Sequence, residues 1–249
     1  DADGMPDPIE LVEGRKFCIK DNDVFNQYPL FIKQAYRDFF AREAEASAVY
    51  YWDGFLVNGT QTRASLVETF MGTGEFQDKA APITRLYKAY FNRMPDHEGL
   101  WYWVALFGNG KTLADIAQTF SQSAEFASQY GSLNNSAFID LVYKNVLGRA
   151  ADADGKAYWL NLLTTGKQNR GEIMIGFSES AEHISDSSHH VHLVLAYEGL
   201  LRRNISATDY TAGINRLRNG ISIRTILTEL MASSEYRLRF MPLLGNVAS

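Results

Sequence analysis

The chain has 249 residues, 46% of them hydrophobic, and a formal net charge of −5. That length and apolar content support a sizeable core in one large or two small domains, and the acidic balance removes the strongly basic surface expected of a nucleic-acid binder. No apolar run approaches the ~20 residues of a membrane-spanning helix.

The first residues, DADGMPDPIE, place Asp1, Asp3, Asp7 and Glu10 around Gly4. Alternating carboxylates on a glycine turn suit a hard cation, which needs several oxygens converging from a short loop. The stretch has two readings: one end of a calcium site, with calcium as the cofactor, or a solvated acidic linker stiffened by Pro6 and Pro8. The same residues resemble the tail of a thrombospondin type 3 calcium repeat, a resemblance that implies an extracellular setting. Residues 11–28 read as an extended segment or short strand laid on the first helical repeat. The single cysteine, Cys18, excludes an internal disulfide. It reads as a small buried hydrophobe. An opening at Asp1 without an initiator methionine reads as a mature or cut form.

Beyond this arm the chain repeats itself with a period of roughly 50 residues, the length of a supersecondary unit. Arg42, Arg93, Arg149 and Arg203 each follow, by six residues, Tyr36, Tyr87, Tyr143 or Tyr197. Ten residues after each arginine comes Trp52, Trp103, Trp159 or, in the last copy, Gly213. Gly59, Gly110, Gly166 and Gly220 come next, then Phe70, Phe120, Phe177 or Leu230, then Glu75, Glu125, Glu182 or Glu235. In copy three, Phe138, Leu141, Val142, Val146 and Leu147 recur at helical spacing up to a capping Gly148. Asp152 or Asp154 can cap a second helix carrying Tyr158, Trp159, Leu162 and Leu163. Glu172 opens a third helix, and Ser180-Ala181-Glu182 a short fourth. Each helix is too short to persist alone and must bury its stripe against neighbours.

VLGRAADADGKAYWLNLLTTGK with GFSESAEH, and YFNRMPDHEGLWYWVALFGNGKT with FSQSAEF, resemble the bacterial domain-of-unknown-function family 4214. Copy four, LRNGISIRTILTELMASSEYRLRF, looks more like the related phycobilisome linker domain. The resemblance covers roughly residues 30–240 and implies secreted or surface proteins, often beside haemolysin-type calcium repeats. Phycobilisome linkers are usually basic, so the negative charge argues against that role. The expected fold is all-α, four tandem phycobilisome-linker-like repeats of three to four helices behind an extended N-terminal arm. The expected organisation is an arm over residues 1–28, repeats one to three over 29–185, and a fourth repeat over 186–249.

Candidate functional groups are few. Leu100, Trp101, Tyr102 and Trp103 form the densest aromatic group. Trp103 holds a repeated position and reads as core. Leu100 and Trp101, whose copy-three equivalents are Lys156 and Ala157, read with Tyr102 either as plain packing or as a partner surface. The junction Ser185–His192 carries His189, His190 and His192 near His183, read as a capped loop of solvated histidines or, less well matched, a zinc site. Each turn arginine and final glutamate read as a buried clamp or, less readily, as one of a row of binding sites. No nucleophile elbow, phosphate loop or zinc-protease motif is present, and acids such as Asp96 and Glu98 sit where capping accounts for them. The sequons at Asn58, Asn134 and Asn204 matter only in a glycosylating pathway. The expected function is a non-enzymatic extracellular or cell-surface module for adhesion or assembly on a protein or glycan partner. The alternative is a carbohydrate-binding module.

Overall fold

The structure is a computed structural model that describes residues 23–240. These residues are helical throughout their regular structure, with no strand among them. Copy one comprises α1 (Tyr28–Phe40), α2 (Ala46–Val57), α3 (Arg63–Met71) and α4 (Gly74–Gln77). Copy two comprises α5 (Ala80–Phe91), α6 (His97–Gly108), α7 (Leu113–Ser121) and α8 (Ala124–Tyr130). Copy three has α9 (Asn135–Leu147), α10 (Ala153–Thr164) and α11 (Arg170–Ser178). Its short last helix is fused to the first helix of copy four in α12 (Ala181–Leu201), after which come α13 (Ala207–Arg218), α14 (Ile223–Ala232) and α15 (Ser234–Phe240).

The boundaries result from capping chemistry repeated in each copy. The first helix ends on a left-handed residue just before the turn arginine: Ala41 (φ 54°), Asn92 (φ 50°), Gly148 (φ 65°) and Arg202 (φ 50°). Only Gly148 takes that conformation without a Cβ clash. Asp96, Asp152 and Ser206 then cap the second helices by accepting from the backbone N–H of Gly99, Gly155 and Asp209. The third helices open on reciprocal boxes, Thr62 with Ser65, Thr112 with Asp115 and Asn169 with Glu172, which satisfy two otherwise orphaned donors at each start. At the next corner Thr73, Ser123, Ser180 and Ser233 accept from the N–H three residues on.

The junction at residues 185–192 is helix, which corrects the expectation of a capped loop. Ser187 donates its hydroxyl to the His183 carbonyl at 2.6 Å. No glycine or proline interrupts the chain from Ala181 to Glu198, so the helix has no stop signal.

Two compact units emerge, residues 77–191 and residues 23–76 with 192–240. Each joins two copies: copies two and three in the first, copies one and four in the second. In residues 77–191, α11 crosses α7 so closely that a Cβ on Gly171 would lie 2.7 Å from the Gln118 nitrogen and 3.0 Å from the Ala114 carbonyl oxygen. Arg85 of α5, 3% exposed, is forked onto Glu179 beyond α11. In the other unit α14 packs on α3, and Asp38 of α1 is buried at 2% exposure. Its carboxylate accepts from Gln34 (2.8 Å), Arg202 (3.1 Å) and Arg239 (2.9 Å). A buried carboxylate is tolerable only with such partners. Gly213, which replaces the repeated tryptophan, lets α13 approach α12, since a Cβ there would sit 2.6 Å from a Leu193 methyl carbon.

Ala41 is exposed and held in the left-handed region, so its methyl contributes strain and no packing. We expect Ala41→Gly to stabilise the fold by about 1 kcal/mol and Gly148→Ala, in open space, to destabilise it by about the same. Thermal melts read both, and equal shifts in one direction would refute the assignment.

Candidate functional site

The repeated residues converge on one constellation between the first, second and third helices. In copy one, the Trp52 indole N–H donates to the Tyr36 hydroxyl at 3.1 Å, and in copies two and three Tyr87 and Tyr143 share a phenylalanine with Trp103 and Trp159. Both rings of each pair rest on the phenylalanine of the third helix. Ring centroids lie at 5.1 and 5.3 Å for Tyr36 and Trp52 on Phe70, 4.9 and 5.2 Å for Tyr87 and Trp103 on Phe120, and 4.8 Å for both Tyr143 and Trp159 on Phe177. Above each tyrosine lies the turn arginine, with Cζ at 4.9 Å for Arg42, 5.1 Å for Arg93, 5.2 Å for Arg149 and 5.3 Å for Arg203. Burial pushes the Tyr87 hydroxyl up to about 12, so at neutral pH it stays protonated.

The arginine–glutamate clamp forms in three copies. Arg42 and Arg93 reach Glu75 and Glu125 in two-pronged bonds of 2.7 and 2.9 Å and of 2.6 and 2.9 Å. Arg203 grips Glu235 in the same way. In copy three Arg149 instead meets Asp152 at 3.6 Å and the Ala150 carbonyl. Glu182 stands exposed in the first turn of α12. The expected Arg149–Glu182 pair is therefore absent among the described residues, where Arg149 turns to Asp152 and the Ala150 carbonyl. The expected burial is also corrected: Arg93 and Glu125 are 39% and 43% exposed, and such pairs contribute little.

The sequence-chosen surface splits. Leu100 is fully buried and is corrected to a core residue: Lys156, its copy-three equivalent, marks a local difference in packing and no outward face. Trp101 is half-buried, its ring 6.3 Å from His97. Tyr102 is 58% exposed. Its equivalents are also open, Tyr51 at 57% and Tyr158 at 59%, and Tyr158 is thereby corrected from its reading as part of a buried stripe. Each stands edge-on to the half-buried tryptophan of its copy, at 4.9, 5.0 and 5.1 Å for Tyr51–Trp52, Tyr102–Trp103 and Tyr158–Trp159. Copy one adds Tyr50, 85% exposed, and Val57, 68% exposed. The repeated Tyr-Trp dipeptide was the available signal. It was missed because Trp101, which lacks an aromatic counterpart in copies three and four, stood out more.

The calcium candidates Asp1, Asp3, Asp7 and Glu10 lie outside the described residues, as does Cys18. Among the described residues no three His, Cys, Asp or Glu side chains gather as a metal set. His183 takes the inward position held by Phe76, Phe126 and Tyr236 in the other copies and is 6% exposed. Its Nε2 has no partner among the described residues. His189 is exposed, and His190 and His192 are half-buried along α12.

The family described as "Domain of unknown function (DUF4214)" matches residues 23–80, 79–128 and 117–187. These segments span more than half of the chain, which belongs to this family. No curated protein and no solved structure matches the chain. No helix among the described residues is long and apolar enough to cross a membrane.

Two results are expected. Arg93→Ala loses an exposed ion pair and a ring contact and should cost about 1–2 kcal/mol, whereas Arg149→Ala loses chiefly the ring contact and should cost about 1 kcal/mol or less. Equal losses well above that range in melts would restore the buried clamp. For His183, burial lowers the pKa, with Arg85 and Lys88 lowering it further against the Val146 backbone and Asp186. The folded state thus resists a proton that the unfolded chain accepts. Stability is full above the ordinary histidine value and falls as pH drops through and below ~6.5, by up to about 1.4 kcal/mol per pH unit. His183→Phe should flatten that fall, and urea titrations at several pH values would show no difference if the ring were solvated.

Proposed function

We propose that this chain is a non-catalytic interaction module of a secreted or cell-surface bacterial protein, used in adhesion or assembly, and that it docks through the tyrosine-bearing faces of α2, α6 and α10. One observation carries the reading: three copies keep an exposed tyrosine, Tyr51, Tyr102 or Tyr158, at the same place, backed by a tryptophan already engaged in the fold. An exposed tyrosine adds little to stability. Held stiffly against a second ring, it presents a large amphipathic contact surface at small entropic cost. Three equivalent faces on one chain suit a repetitive or multivalent partner, where linked weak contacts add to useful avidity.

Carbohydrate binding is the second reading, favoured by the edge-on geometry, which leaves the tyrosine ring free to stack against the apolar face of a sugar. An array of bacterial and matrix polysaccharides separates the two: saccharide capture favours the second, and a blank array with self-association or surface-protein capture favours the first. In either case Tyr51→Ser, Tyr102→Ser and Tyr158→Ser together should reduce the observed binding at least about tenfold, while each changes stability by under about 1 kcal/mol. Unaltered binding by the triple variant would remove these faces from the account.

A further inference from the structure

A cleft of 580 Å³ lies in the unit formed by residues 23–76 and 192–240, walled by Val24, Leu56, Met231 and Tyr236, with Arg63 on its lining and Thr62 and Thr228 among its exposed members. That volume falls within the roughly 300–1,000 Å³ of small-molecule sites, which are apolar with a few placed polar groups. It shares no residue with the tyrosine faces.

Arg63 is the unusual member. One terminal nitrogen donates to the Phe25 carbonyl at 2.6 Å, and the guanidinium lies over Tyr28 and Phe31 at 4.6 and 5.4 Å. No carboxylate pairs with it among the described residues, and its Nε is buried without an acceptor. Copy three supplies the comparison. Arg170 holds the equivalent place, donates to the Leu133 carbonyl at 2.5 Å and lies over Phe138 at 4.9 Å, but it also donates to the Asn135 side-chain oxygen at 3.2 Å. In copy one the position of Asn135 is taken by Tyr28, whose ring accepts no such in-plane hydrogen bond. Clamping the segment that enters the first helix therefore explains what the two arginines share. It leaves unexplained why copy one keeps this cation beside an apolar cleft with no side-chain acceptor in the place of Asn135. The glutamine two residues earlier gives no discrimination, since Gln61 and Gln168 each bury an unpartnered carbonyl oxygen.

We propose that the cleft binds a small apolar monocarboxylate, its hydrocarbon or aryl body against Leu56, Met231 and Tyr236 and its carboxylate on Arg63. A carboxylate complements a guanidinium that no carboxylate of the described residues neutralises, while the apolar body fills the rest of the cleft.

Calorimetry on the full chain tests this with phenylbutyrate, the corresponding phenylbutanol and the corresponding amine. Phenylbutyrate should bind saturably, one molecule per chain, at least about tenfold more tightly than the alcohol, a preference of about 1.4 kcal/mol, and the amine should bind most weakly. Arg63→Gln should bring the acid down to the level of the alcohol. Because Arg63 also holds Phe25, that variant can lose stability. Thr228→Trp is the second probe: residue 228 is exposed on the cleft lining, so a bulky ring there should abolish binding while the melt stays near that of the parent. Acid and alcohol binding alike, acid binding undiminished by Thr228→Trp, or no heat from any of the three compounds would each overturn the proposal.

Discussion

Copies one to three are each organised by an arginine laid on a tyrosine ring that shares a phenylalanine with a tryptophan. The tyrosine belongs to the first helix, the arginine to the turn, the tryptophan to the second helix, and the phenylalanine beneath to the third, so one cluster fixes four pieces of chain. A cation over an aromatic face contributes roughly 0.5–1 kcal/mol at exposed sites, and well-placed ring pairs contribute a similar amount beyond their burial. Individually small, these terms act where helices of 9–13 residues could not persist alone. Copy four shows which parts can be exchanged. Gly213 removes the tryptophan and brings two helices together, while Tyr197, Arg203 and Glu235 stay in place.

A repeat so built still has an uncovered third helix, and the copies meet that need in pairs. Copy two takes copy three and copy one takes copy four. Each pairing places a buried charge among partners from both copies: Arg85 on Glu179, and Asp38 among Arg202 and Arg239. A buried ion pair is weak evidence of net stability, since desolvation offsets most of the attraction. Its more secure consequence is selective: an unpartnered Asp38 would be costly, so copy one is poorly served by a copy lacking the two arginines.

Much of this was legible in the residues. The register of Tyr, Arg, Trp, Gly and Glu marked out the helices and turns, because caps and apolar stripes are local. The pairing of copy one with copy four depends on contacts across most of the chain, and no local pattern announces it. The failure of Arg149 to reach Glu182 was equally unreadable, since the spacing of the two residues is that of the other copies. Other misses were readable. Aligning Ser180-Ala181-Glu182-His183 with Ser123-Ala124-Glu125-Phe126 puts His183 in an inward aromatic position. The Tyr-Trp dipeptides of three copies place an outward tyrosine beside an inward tryptophan. Leu100 was misjudged because an apolar residue differing between copies can mark a change of packing as well as a contact surface.

The central claim is a division of labour: Tyr36, Tyr87 and Tyr143 hold the repeats, and Tyr51, Tyr102 and Tyr158 meet the partner. Incorporating fluorotyrosine and tracking the assigned fluorine resonances during titration with an array-identified saccharide or surface protein tests both halves at once. The account predicts that the Tyr51, Tyr102 and Tyr158 signals shift and saturate with binding while those of Tyr36, Tyr87 and Tyr143 stay in place. Binding that moves the inner three, or leaves the outer three unchanged, would contradict it.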